Sequence, residues 1–252
     1  APKAKVDKSK LAKKSSGSGK WVSFILLIIA IGVISVISFE ILSLKISNLF
    51  FLLALPAIVM AAIALFLGKL FYQCTNPYKL GEELTEKDNP AIGLSLSGYL
   101  LGLGLALVGA TSGLNSELKE AGNKIWETYQ IVLIDGGIAF VISIVLLRLA
   151  AFLHDKLLLY KFSVHKELKK DRNLGTGAVC CGGAIATGLI LMSSFIGPPN
   201  QTQNQTFLSY IFSILGAFIV GQVIFLLGGV LFQKATSYDM HYEIGERDNT
   251  SA

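Results

Sequence analysis

Long apolar stretches alternate with short charged ones along this chain, and the apolar stretches are long enough to cross a bilayer. A hydrocarbon core of roughly 30 Å takes about 20 apolar residues in a helix. Six windows reach that length: 21–39, 49–72, 90–113, 126–153, 175–197 and 207–232. Short segments of alternating hydrophobicity, the mark of an outer-membrane barrel, are missing from the sequence. The pattern predicts an all-α fold, a polytopic transmembrane helical bundle of six spans.

Two of the windows, with the polar segments ahead of them, superimpose at an offset of 84 residues. Asn89, Gly93, Gly98, Gly104 and Gly113 fall on Asn173, Gly177, Gly182, Gly188 and Gly197. Glycine weakens a helix, so matched glycines within helices point to a shared packing need. The charged segment Tyr78–Asp88 matches Tyr160–Asp171, and a third copy opens at Tyr238 and runs to Asp248-Asn249-Thr250-Ser251-Ala252. These matches predict tandem two-helix repeats with cytoplasmic amphipathic connectors. The chain then divides into a basic tail (1–20), an extra first helix with its outer loop (21–48), repeat unit one (49–125), unit two (126–206) and an incomplete unit three (207–252). Asn89 is placed to cap the helix that Pro90 begins, and Asn173 and Asn249 take the same role. A third cap with no helix behind it leads to the expectation that the natural polypeptide continues. Small residues on several faces let neighbouring backbones approach closely, so the glycine-rich helices are expected at the centre of the bundle and the bulkier ones against lipid.

Composition agrees: of 252 residues, 52% are hydrophobic and 15% charged, which is membrane composition. The placement of charge matters more than the net +5. With six spans, 19 Lys and Arg lie on the side of the N-terminus and connectors and 3 on the other. Basic residues favour the cytoplasmic face, so both termini are expected inside. The first span has some 20 polar residues ahead of it and no clear cleavage site, so it is expected to be retained. The seven lysines of the tail can draw anionic lipid headgroups at about 1 kcal/mol each.

The pattern of a charged stretch, an Asn-led cap and a glycine-rich helix resembles the bacterial inner-membrane family called domain of unknown function 350. The matching residues are Asp88-Asn89-Pro90-Ala91-Ile92-Gly93 with Ser97-Gly98, Asn173-Leu174-Gly175-Thr176-Gly177 with Gly182, and Asp248-Asn249-Thr250-Ser251-Ala252. The resemblance covers roughly residues 49 to 252. It implies tandem two-helix units in the bacterial cytoplasmic membrane and supplies no catalytic residues.

Candidate chemistry is sparse. Asp135 falls near the bilayer midplane of its span, where an ionisable group is costly and points to a functional site. Gln222 lies at similar depth and reads as a structural inter-helix hydrogen bond, with partnership to Asp135 as the alternative. The acidic cluster Glu82, Glu83, Glu86 and Asp88 reads as a solvated face. Arg148 lies near the inner interface, where its side chain can reach headgroups. His154, His165 and His241 fall at the cytoplasmic side, without the facing pair that a transmembrane haem requires. Cys74, Cys180 and Cys181 show neither metal spacing nor a disulfide framework. No cofactor and no nucleic acid partner is implied. The expected function is a non-enzymatic packing or scaffold subunit, partnered by other membrane subunits or by copies of itself. The rivals are an ion channel or transporter with Asp135 on its path, and a quinone- or pigment-binding accessory subunit.

Overall fold

A computed structural model describes residues 49–113, 125–196, 207–247 and 249. Five long helices and no strand occur among them: α1 (Leu49–Thr75), α2 (Pro90–Gly113), α3 (Ile125–Leu157), α4 (Leu174–Ile196) and α5 (Phe207–Ala235). Each contains a stretch long and apolar enough to cross a membrane, so the chain is a multi-pass membrane protein. The expected span at 21–39, the basic tail, the outer loops and Gly197 lie outside the described residues. Residues 60–252 form one compact unit, and of the other only the opening of α1 is described.

Helix ends follow the sequence closely at α2 and α4. At α3 and α5 they run on past 153 and 232, because His154, Lys156 and Lys234 prolong the last turns and suit the negative end of the helix dipole. Neither turn meets a glycine or proline that would stop it.

α2 and α4 make the most extensive contact of the fold. They run parallel. A Cβ on Gly177 would lie 2.8 Å from the Ala91 carbonyl oxygen, one on Gly98 would strike the Cys181 backbone, one on Gly102 that of Ala184, and one on Gly109 that of Met192. Gly188 in turn meets the backbone of Gly102. The paired positions rise together along both helices at separations of 82 to 86 residues, so the two pack in the register of the sequence offset. Such approach is open only to residues without side chains.

Around this pair, α3 packs on α2 and α4, and α5 packs on α4. Ile92, Leu103 and Ala106 of α2 meet Leu146, Leu147 and Ala150 of α3, Leu191 and Phe195 of α4, and Ile214 and Phe218 of α5 in one buried cluster. The outer faces of α3 and α5 are apolar and exposed, as Val145, Leu149, Ile219, Ile224 and Leu231 illustrate.

The connectors at Glu82–Glu86 and Glu167–Asp171 are single π-helical turns, and the third is a short α-helix at Met240–Gly245. Asp88 and Arg172 close the first two in the left-handed region, at φ 48° and 52°. Those residues reverse the chain so that the next asparagine can begin a helix. The first connector is more than a surface segment: Leu80 and Glu83 are each 1% exposed beneath the bundle.

Candidate functional site

Two polar constructions stand out at the connector end of the bundle. The first is built on the helix caps Asn89 and Asn173 and on Asn249. The Oδ1 of Asn89 accepts from the Ile92 N–H at 3.3 Å, and that of Asn173 accepts from Thr176 at 2.8 Å. The side-chain amide turns the other way. Asn89 Nδ2 donates to Glu83 Oε2 at 3.3 Å and to the Leu168 carbonyl at 2.9 Å. Asn173 Nδ2 donates to Glu167 Oε2 at 3.1 Å and to the Ile244 carbonyl at 2.7 Å. Asn249 Nδ2 donates to Glu243 Oε2 at 3.1 Å. Each asparagine therefore ties its own glutamate, six residues back, and the first two also reach the residue after the next glutamate. The backbone adds Asn89 N–H to Glu83 O, Asn173 to Glu167 and Asn249 to Glu243, all at 2.9–3.0 Å.

The glutamates were hidden in the sequence. Glu83 is part of the acidic cluster read as solvated, yet its side chain is almost wholly buried. Its burial raises the titration point, but the hydrogen bonds from Lys87 and Asn89 outweigh that and hold it below the ordinary carboxylate value. The signal that could have found it is spacing: Glu83, Glu167 and Glu243 stand six residues before Asn89, Asn173 and Asn249.

The second construction is a cavity of about 960 Å³, walled by α1, α2, α3, α4 and the second connector, with Phe225 contributed by α5. At one side the Tyr72 hydroxyl bonds Tyr78 and Ser95, each at 3.0 Å, and the Tyr72 and Tyr99 rings lie 5.1 Å apart. Tyr78 stacks on His165 at 5.6 Å. His165, largely exposed, titrates below its ordinary value because of partial desolvation and the nearby Lys169 and Lys170. Opposite, His154 Nε2 meets Gln222 Oε1 at 3.0 Å, and Gln222 Nε2 donates to Thr187 Oγ1 at 3.2 Å. With the Gln222 amide so oriented, His154 donates through Nε2. Gly183 makes room for the ring, since a Cβ there would lie 2.8 Å from His154 Nδ1. Arg148 Nη2 donates to the Thr75 carbonyl at 2.6 Å, tying α3 to the end of α1.

The structure leaves Asp135 and Gln222 apart, and Gln222 makes inter-helix hydrogen bonds of the structural kind. Gln222 is engaged with His154 and Thr187, whereas Asp135 is half-buried in the first half of α3 and makes no hydrogen bond or ion pair among the described residues. His154 sits in the last turn of α3 and is buried there, at 8% exposure. Of the paired glycines, Gly98, Gly177 and Gly188 join α2 to α4; Gly93 touches only Leu84; Gly104 and Gly182 have no neighbour within 4 Å among the described residues; Gly113 ends α2. Gly102 and Gly109 pack as tightly as the paired ones. They escaped notice because their counterparts at the same offset are Ala186 and Ser193. Among the described residues no cluster of His, Cys, Asp and Glu could hold a metal ion.

No curated protein and no solved structure matches the chain. The family model described as Domain of Unknown Function (DUF350) matches residues 44–195, from just before α1 almost to the end of α4, and the chain belongs to that family.

Proposed function

We propose that the protein is a non-enzymatic scaffold subunit of the bacterial cytoplasmic membrane, built of tandem two-helix units with cytoplasmic connectors, and that it assembles with further copies of itself. The observation that carries this reading is the parallel contact of α2 with α4 in register. There α2 uses Ala91, Gly98, Gly102 and Gly109, and α4 uses Gly177, Cys181, Ala184, Gly188 and Met192. Shifted by 84 residues, α2 bears its own form of the α4 face: Gly93, Ser97, Leu100, Gly104 and Val108. Likewise α4 bears a form of the α2 face: Gly182, Ala186 and Ser193. Ser97, Val108, Gly182 and Ser193 are exposed, and a Cβ added to Gly104 or Gly182 would meet nothing within 4 Å among the described residues. The used and unused faces of α2 lie about 140° apart around the helix. Each helix thus presents the half-interface that the other has used, and α4 of one copy fits α2 of the next in a head-to-tail contact.

Mass measurement of the full chain in lipid nanodiscs tests this. Gly104→Leu and Gly182→Leu should each shift the protein toward monomer, whereas Gly136→Leu, at an equally open glycine of α3, should not. A monomeric unmodified protein, or equal behaviour of all three variants, would refute self-assembly.

Asp135 supports a second reading, a channel or transporter, because its carboxyl has no partner among the described residues. Ion flux in proteoliposomes that vanishes in Asp135→Asn would favour it over the scaffold.

A further inference from the structure

We infer that the cavity beside Arg148 and Tyr99 binds the anionic head of a lipid, phosphate or carboxylate, with an acyl chain lying along α3. The inference rests on the membrane-spanning fold and not on self-assembly. Arg148 stands in the apolar stretch of α3 and places a guanidinium cation there. Its partners are the Thr75 carbonyl, at 2.6 Å, and Asn76 Oδ1, at 3.5 Å, both uncharged. No carboxylate lies within 4 Å of it among the described residues. Guanidinium charge at that level calls for an anion. Tyr99 is 6% exposed, and its hydroxyl has no hydrogen-bond partner among the described residues. A buried phenol without a partner is unfavourable, and both side chains line the same cavity.

The other charges at the mouth are already matched. Lys161 lies 2.6 Å from Asp239, and Lys156 lies 3.4 Å from Asp155. Arg148 is the lining cation without a matching carboxylate among the described residues. What it lacks is an acceptor that carries negative charge, and Tyr99 can donate to the same group.

The apolar wall fixes what is attached to that group. Phe71, Val145, Leu149 and Phe152 also line the cavity. Val145, Leu149 and Phe152 repeat at four- and three-residue intervals on one face of α3 and are 53%, 45% and 56% exposed. They lead from the cavity onto the outer surface of the bundle, where hydrocarbon chains run. A volume of about 960 Å³ is ample for a headgroup and the first part of a chain.

The test uses the full chain in neutral detergent. It is mixed with micelles holding equal amounts of phosphatidylglycerol and of diacylglycerol with the same acyl chains, then repurified, and the retained lipid is quantified by mass spectrometry. Retention should favour phosphatidylglycerol by about tenfold, the scale of one charge-assisted hydrogen bond. Arg148→Gln should abolish that preference and Tyr99→Phe should weaken it, while Leu101→Ala, on the exposed face of α2, should leave it unchanged. Oleate in place of phosphatidylglycerol should also be retained in an Arg148-dependent way. Equal retention of the two lipids, or an unchanged preference in the Arg148 and Tyr99 variants, overturns the inference. Displacement of the lipid by inorganic phosphate alone overturns the lipid as ligand and leaves a free-anion site. If Arg148→Gln aggregates, Tyr99→Phe, which removes a single oxygen, decides the matter.

Discussion

At the scale of single residues, the cap asparagines do more than begin helices. Asn89 satisfies an orphan N–H through Oδ1 and spends Nδ2 on Glu83 and on the carbonyl of Leu168, 79 residues away. Asn89→Ala should destabilise the protein by about 1–3 kcal/mol in detergent thermal unfolding, from the lost cap and the buried acceptors left behind. Asn89→Asp separates the two roles. It keeps the capping oxygen but loses the donor and sets a carboxylate against Glu83, so it should be about as damaging as alanine. If it were harmless, the amide contacts would contribute nothing. Glu83 adds a pH dependence. Its folded titration point lies below the ordinary 4.5, so its stabilisation is full above that value and fades as pH falls through the folded value. Unfolding temperature should therefore drop in acid below about pH 4.5, and Glu83→Gln should flatten that part of the profile while lowering stability at about pH 7. The asparagines were legible in the sequence because capping is a local rule. Their glutamates were not: burial of Glu83 comes from the π-helical turn and from the helices above it, and a run of acidic residues gives no hint of which one turns inward.

Among the elements, the pair α2 and α4 decides the fold. Only part of its register was legible: of the glycines matched at the 84-residue offset, Gly98, Gly177 and Gly188 pack across the pair, and each meets a residue other than its match. What the offset could not reveal was which glycine works on which face. Gly98 and its counterpart Gly182 look equivalent in sequence, yet Gly98 lies against the Cys181 backbone and Gly182 faces outward. Contact with one neighbour breaks the symmetry that the repeat implies. Gly98→Ala or Gly102→Ala should destabilise the fold by about 1–3 kcal/mol, since the added methyl meets main chain that cannot yield. Gly136→Ala and Gly137→Ala, with no neighbour within 4 Å among the described residues, should be neutral or stabilising by up to about 1 kcal/mol. Thermal unfolding of the four variants in one detergent measures the contrast. The same blindness explains Gln222. Depth along a helix suggested Asp135, but α3 meets Gln222 through His154, far closer to its C-terminal end.

For the whole molecule, length and apolarity were enough to find every described span, while the direction of neighbouring helices required the packed structure. Parallel contact between α2 and α4 has a consequence for topology. If both cross the bilayer, their N-terminal ends lie at one surface, and the connectors that cap them must share it. Asn89 and Asn173 carry the argument further, because each holds the connector that follows and so draws the first, second and third connectors into a continuous layer. That layer holds Lys79, Lys87, Lys161, Lys166, Lys169, Lys170 and Arg247, the concentration of basic residues expected of a cytoplasmic surface. Single cysteines placed at Thr85, Lys170 and Glu246, in a chain whose exposed Cys74 is replaced by serine, should all react with a membrane-impermeant maleimide from the same side. In intact cells they should be protected, and in inverted vesicles they should label. Labelling of the first two connectors from opposite sides would be incompatible with a parallel pair of spanning helices, and with it the register that unites the glycines, the caps and the connector layer would fail.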